Sequence, residues 1–381
     1  MAETYGLPSS YDIVGRKPDV SEILAALKVI DTTIFGLFGA GKSTDKEHKW
    51  YEDKLVPNSV TANEANTIST SATTIKLTAD HANRLRPNVL LMDVATGKAG
   101  ELLRVVATEG NNVVVARGYG SSTATTHAKG AEFRMISQAM LENASASEGR
   151  TRKRDLKSNY CQIFERVVDI GGSAQVIPSY GVANELAYQT ANKMLELKQE
   201  LDDTLINGIK SSSIGSATVV GTLAGLIEVI SATGGNIDNT AAAISHAKIN
   251  NLLYEIFLDC GDQARPTVMA GHPNLMRTIR YFDDDLIQIA PSDTVRGTYV
   301  NQYRSDLGWL LTMIMDRNIP MGTVLFLDQT RLKLCPLRPF KMTPMAKTGD
   351  FERHQIVGEF SCEVRNALEA HAIGTGWTAA S

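Results

Sequence analysis

Arg150–Lys210 reads RTRKRDLKSNYCQIFERVVDIGGSAQVIPSYGVANELAYQTANKMLELKQELDDTLINGIK. It opens on a basic run, passes through two short apolar strands and a turn carrying Gly and Pro, and ends in a long uninterrupted amphipathic segment. Val182, Leu186, Thr190, Met194, Leu197, Leu201, Leu205 and Ile209 recur there at steps of three and four, the spacing of one apolar stripe on an α-helix. This spacing predicts a helix over 182–210 with Leu186, Met194, Leu197, Leu201, Leu205 and Ile209 turned to a core. Each of these side chains contributes about 1.5–3 kcal/mol when buried.

N-terminal to this stretch the chain changes character twice. Residues 1–54 read as an extended arm, punctuated by Gly6, Pro8, Gly15 and Pro18, with one short helix predicted at Val20–Ile30. Nothing in the arm buries a core alone, so neighbouring subunits are its natural support. Residues 69–136 contain five short strand patterns, at 74–77, 89–92, 101–106, 112–117 and 131–136, separated by turn residues such as Pro87-Asn88 and Gly110-Asn111. Regular short strands with such turns suggest a small closed barrel. C-terminal to the helix, Ser211–Ser216 is a break, and residues 221–334 alternate helical and strand patterns. A helix is predicted at 247–259 and buried strands at 267–270 and 324–328. The tail, 352–373, alternates as paired strands.

Ser158–Phe164 and the Glu185…Leu197-Lys198…Leu201 helix resemble the extension-loop return and spine helix of tailed-phage major capsid proteins of the Hong Kong 97 fold. Val115-Ala116-Arg117-Gly118…Thr123…His127-Ala128-Lys129-Gly130 is similar to a β-module inserted in the extension loop of some phage head proteins, the alternative being a generic barrel of unknown role. The resemblance implies an α+β fold in five parts. These are an N-terminal arm (1–54), an extension loop (55–68 and 137–176), an inserted small β-barrel (69–136), a peripheral domain with its spine helix (177–220 and 335–381) and an axial domain (221–334). It further implies a structural protein that self-assembles into pentamers and hexamers of an icosahedral phage head enclosing double-stranded DNA, with no enzymatic step and no cofactor. The implied partners are other copies of the chain, a separate scaffolding protein, a portal, DNA contacted non-specifically and decoration proteins. Localisation would be the virion, after assembly in the host cytoplasm.

The 381-residue chain carries a net charge of −4, which excludes a polycation built to grip nucleic acid. Cys161, Cys260, Cys335 and Cys362 lie far apart, a spacing that suits neither a disulfide framework nor a zinc site. The seven histidines are scattered with no pair at metal spacing, so no metal site is expected. No apolar signal core and no membrane-length run occur. Asp283-Asp284-Asp285 lacks the alternate ligands and glycine of a calcium loop and reads as a solvated loop. Arg150, Arg152, Lys153 and Arg154 read either as a solvated face or as ion-pair partners for a neighbouring subunit's acidic surface.

One motif argues for a different class. Gly36-Leu37-Phe38-Gly39-Ala40-Gly41-Lys42-Ser43 satisfies G-x-x-x-x-G-K-[ST], in which backbone N–H groups cradle phosphates, the lysine reaches the β/γ oxygens and the serine holds Mg²⁺. Asp93, ending the apolar run Val89–Met92, would be its acidic partner. Such a loop needs a packed helix after it, yet Thr44–Lys54 carries Asp45, Lys46, Glu47, His48 and Lys49 before Trp50 and shows no apolar stripe. The capsid family has a Gly/Lys-rich link here, followed by a string that His48, Trp50 and Asp53 fit, which makes Trp50 and Asp53 candidate intersubunit contacts. The nucleotide-binding reading using Gly36, Gly41, Lys42 and Ser43 is therefore the rejected alternative. A mainly β phage part such as a tail tube is the other, opposed by the predicted helix.

Overall fold

The computed structural model describes residues 32–95, 100–140, 142, 153–177, 182, 184–279 and 302–379. The predicted helix at 20–30, Arg150, Arg152 and Asp283–Asp285 lie outside the described residues. Two compact units emerge: Met1–Trp50 with Leu156–Ser381, and Tyr51–Asp155.

Among the described residues the first strands are β1 (Gly39–Ala40) and β2 (Glu47–Glu52). Next come β3 (Ser59–Thr61), β4 (Thr74–Lys76), α1 (Ala79–Arg84), β5 (Val89–Asp93), β6 (Leu102–Glu109), β7 (Asn112–Ala116) and β8 (Glu132–Gln138). After β9 (Asp155–Tyr160) and β10 (Gln162–Gly171) follow α2 (Gly172–Val176), α3 (Glu185–Asn207), α4 (Leu226–Ile230), β11 (Asn236–Asp238) and α5 (His246–Cys260). The remainder is β12 (Val268–Gly271), α6 (Pro273–Ile279), β13 (Gln302–Arg304), β14 (Leu310–Met315), β15 (Val324–Leu327), β16 (Leu332–Pro344), β17 (Phe351–Val364) and β18 (Ala372–Gly374).

In the first unit, one sheet runs β1-β16-β17-β10 and another runs β11-β18-β15-β12-β14-β13. The long β16–β17 ladder is antiparallel and shifts register between Pro336 and Arg338 and again between Arg338 and Lys341. Pro336 and Pro339 donate no ladder hydrogen bond, which places the irregularities there. The central strands β12 and β15 are buried on both faces, as their continuous apolar runs require. Helix α3 is capped by Asn184, whose side chain accepts the Ala187 N–H at 3.0 Å, and Glu185 in the first turn complements the helix dipole. Its buried Leu197, Leu201, Leu205 and Ile206 share one core with Phe164, Val168 and Ile170, the alternate inward positions of β10.

The helix is shorter than the periodicity predicts. It begins at Glu185 rather than 182 and ends at Asn207 rather than 210. The C-terminal limit has a steric cause. A Cβ on Gly208 would lie 2.8 Å from the Leu223 carbonyl oxygen, and the Gly208 carbonyl accepts the Gly225 N–H at 2.8 Å. The returning chain thus pairs with the backbone where a further helical turn would run. Ile209 falls beyond the helix and is 72% exposed, so it is no core residue. Ile206, which the stripe omitted, is fully buried instead. Leu186 and Met194 pack on the core only partly buried.

The second unit has one antiparallel sheet in the order β3-β8-β5-β6-β7-β4. Its two edges meet: Ala62 bridges Leu77, and Asn63 donates to the Lys76 carbonyl at 2.8 Å. All five strand patterns of 69–136 form strands, and β3, outside that span, completes the sheet. Val60, Ile75, Leu91, Leu103, Val105, Val113, Val115 and Phe133 fill its own core. Gly110 turns β6 into β7 with φ 60°, a conformation open to glycine at little cost. Among the described residues no helix is long and apolar enough to cross a membrane.

Candidate functional site

The segment Gly36–Ser43 is a strap rather than a phosphate loop. Phe35–Leu37 makes one 3₁₀ turn with Ile34 and Leu37 buried, and Gly39–Ala40 then pairs in parallel with Lys333 and Leu334 of β16. The Gly41 N–H donates to the Leu334 carbonyl at 2.8 Å and the Ser43 N–H to the Pro336 carbonyl at 3.2 Å. Backbone donors spent on a strand cannot cradle an anion. Ser43 is buried and its hydroxyl donates to the Asp45 carbonyl at 2.7 Å, and strand β2 follows where a nucleotide fold needs a helix. Asp93 belongs to the second unit and is engaged there by His127 and the Ala95 N–H.

Two buried aspartates hold the strap. The Phe35 N–H donates to Asp202 Oδ1 of α3 at 2.5 Å, and the Thr33 hydroxyl donates to Asp316 Oδ2 at 2.9 Å. Burial pushes the Asp202 carboxyl up from 3.8 to about 7; the Phe35 N–H opposes the rise, while the nearby Asp316 charge reinforces it. Because the folded state holds this proton more tightly than the unfolded chain, stability declines as pH rises from 3.8 to about 7 and then levels off. Asp202→Asn keeps an acceptor for Phe35 and removes the ionisation. Denaturant midpoints are expected to fall across that window in the parent chain and stay flat in the variant. A parallel decline in both would rule Asp202 out as the cause.

A second convergence was invisible in sequence spacing. His48 on β2, Cys335 on β16 and Glu363 on β17 bring their ligating atoms within 4.8 Å of one another. His48 Nε2 lies 3.3 Å and Cys335 Sγ 3.8 Å from Glu363 Oε2. The other oxygen, Oε1, accepts from Arg365 Nε, and the Trp50 ring lies 5.9 Å from the His48 ring. Burial pushes the Cys335 thiol up to about 11, assisted by the charge of Glu363. Burial tends to raise Glu363 as well, but hydrogen bonds from Arg365 and His48 outweigh it and the carboxyl is lowered.

The second unit encloses a polar knot. Arg117 grips both oxygens of the fully buried Glu101, at 2.8 Å from Nε and 2.6 Å from Nη2, and also donates to the carbonyls of Ser69, Ala72 and Thr125. The N–H groups of Gly118 and Thr125 complete the carboxylate's shell at 2.6 and 2.9 Å. His127 spans Asp93 and Glu101 with its two ring nitrogens, at 2.6 and 3.2 Å. Burial alone would raise Glu101, yet Arg117 and these backbone donors bring it down to about 2. This ties strand ends and loops together at the Arg117-Gly118…His127 pattern singled out in the sequence.

The remaining predicted contact residues sit at the surface. Lys153 and Arg154 are exposed; Arg154 Nε lies 3.7 Å from Asp53 Oδ2 of the same chain, both side chains mostly in solvent. Trp50 is half-buried beside His48. Among the elements that expose large apolar side chains are α5, with Tyr254, Phe257 and Leu258, and β10, with Ile163 and Val167.

Taken with its sheet order and long central helix, the fold is that of Hong Kong 97-like phage capsid subunits. The Cyanophage A-1(L) capsid asymmetric unit matches with a TM-score of 0.55 and 10% identity over 97% of this chain and 98% of that one. The capsid of a native GTA particle matches at 0.53 and 10%, over 97% of each chain. The SU10 major capsid protein family matches residues 5–378, and the chain belongs to that family. The major capsid protein of Escherichia phage Phieco32 is 25% identical over 292 residues, covering 64% of this chain and 81% of that protein.

Proposed function

We propose that this major capsid protein self-assembles into pentamers and hexamers of an icosahedral head that encloses double-stranded DNA. The observation that carries the reading is the family match across residues 5–378. The exposed surface agrees with it. Tyr254, Phe257 and Leu258 fall at i, i+3 and i+4 on α5 and form an apolar stripe that a second copy would cover. In this assignment residues 1–54 are the arm, 55–68 with 137–176 the extension loop and 69–136 an inserted barrel. Residues 177–220 with 335–381 make the peripheral domain, and 221–334 the axial domain. Scaffolding and portal proteins, and decoration proteins on the outer face, would be partners during assembly in the host cytoplasm. A net charge of −4 suits loose, non-specific contact with packaged DNA.

Electron microscopy of the purified full chain, expressed with and without its scaffolding protein, tests this directly. Closed shells with rings of five and six are expected; discrete monomers that bind ATP would overturn it. Neutralising Arg152 and Arg154 should leave a folded subunit that assembles poorly. The exposed Arg154–Asp53 pair contributes at most about 1 kcal/mol, so its loss leaves folding intact. Unchanged shell yield by sedimentation would remove these arginines from the interface.

A further inference from the structure

We propose that His48, Cys335 and Glu363 form a binding site for a divalent transition metal of the zinc class, with water as the fourth ligand. The three ligand atoms already converge, within 4.8 Å of one another. Zinc takes nitrogen and oxygen ligands at roughly 2.0–2.2 Å and sulfur at roughly 2.3 Å, so tetrahedral angles set ligand atoms about 3.3–3.6 Å apart. His48 Nε2 is 3.3 Å and Cys335 Sγ 3.8 Å from Glu363 Oε2. Since all three ligand atoms lie within 4.8 Å of one another, an ion placed between them draws them in by up to about 1 Å to reach all three. One imidazole, one thiolate and one carboxylate form the mixed, borderline donor set that suits zinc.

The surroundings already hold one of the donors. Glu363 is fixed through its second oxygen by Arg365, leaving Oε2 directed at the other ligands. Outer contacts of this kind orient ligands and tune affinity in metal sites generally. Gly41 makes room for them, since a Cβ there would come within 2.5 Å of Cys335 Sγ. The glycine that mimics a phosphate loop thus borders a cation site. The Cys335 side chain is fully buried and Glu363 nearly so, while His48 is 14% exposed and offers the entry side. Because the ligands come from β2, β16 and β17, a bound ion cross-links the strand that leaves the first unit to its longest hairpin.

The test is a titration of the chelator-treated full chain with Co²⁺, followed by Zn²⁺. One equivalent of cobalt is expected to produce a thiolate-to-metal charge-transfer band in the near ultraviolet with the visible absorption of a tetrahedral site. Zinc should then displace both, and it should raise the melting temperature of the apo chain. Cys335→Ser should abolish the charge-transfer band, and Cys260→Ser should leave it unchanged. His48→Gln, on the exposed side and least disruptive to folding, should weaken binding by about 100-fold or more, beyond the cost of losing an outer partner. Absence of the band in the folded parent chain, its persistence in Cys335→Ser, or unaltered affinity in His48→Gln would each overturn the proposal.

Discussion

Leu197→Asp is expected to abolish folding of the first unit, so that the chain is recovered insoluble or without the native circular dichroism signal. Leu197 is fully buried in the core shared by α3 and β10. Its removal forfeits about 1.5–3 kcal/mol of burial. The new carboxylate would lie among apolar side chains, at a further cost of several kcal/mol whether it ionises or takes up a proton. Against a total stability on the order of 5–15 kcal/mol, the sum is decisive. Two companions give the result its meaning. Leu197→Met keeps volume and should cost less than about 1.5 kcal/mol. Ile209→Asp occupies the same periodic stripe but lies past the helix in solvent, so it should change stability by no more than about 0.5 kcal/mol. Soluble, native-like Leu197→Asp protein, or an equally damaging Ile209→Asp, would contradict this packing.

Arg117→Ala should produce the largest effect in the second unit, destabilising it by about 3–5 kcal/mol, because it strands Glu101 as a buried charge without its cation. The carbonyls of Ser69, Ala72 and Thr125 lose their donor at the same time. The second unit has its own core, so calorimetry should show one transition moving down while the transition of the first unit stays in place. The acid response follows from the same contacts. Glu101 is lowered from 4.5 to about 2, so its contribution is complete above pH 4.5 and lost as pH falls toward 2. Removing Arg117 shifts that loss to higher pH. Replacing Glu101 and Arg117 together by methionine should be milder than Arg117→Ala alone, since no unpaired charge remains. A double variant less stable than the single one would mean that the ion pair itself, rather than the cost of stranding its partner, dominates.

Much of the fold was legible because its signals are local. The strands β4 to β8 are short runs punctuated by Gly, Asn, Asp and Pro, and each appears where that punctuation places it. The helix at 247–259 is found at His246–Cys260, with Ile249, Leu252, Leu253 and Ile256 inward, although Phe257 at the edge of the face stays 38% exposed. Strand β3, Ser59–Thr61, was missed because it offers one large apolar residue, Val60, with no second such as Leu77 supplies beside Ile75. The resemblance carried by Ser158–Phe164 and the Glu185–Leu201 helix pointed to the capsid fold that the family match supports.

What the amino-acid sequence determined by itself was the kind of each long element and the capsid class, since periodicity, turn chemistry and a characteristic string survive without knowledge of neighbours. What only the tertiary structure decided were limits and meetings set by distant chain. Helix α3 stops at Asn207 because Leu223–Gly225 returns against Gly208. Gly36–Ser43 matches a nucleotide loop in letters, but its N–H groups are claimed by β16, some three hundred residues away, and lie along a strand. His48, Cys335 and Glu363 are likewise remote in sequence and adjacent in space. Spacing along a chain reports only what one element can bring together; contacts between elements depend on register and packing, which exist only once the sheets have formed.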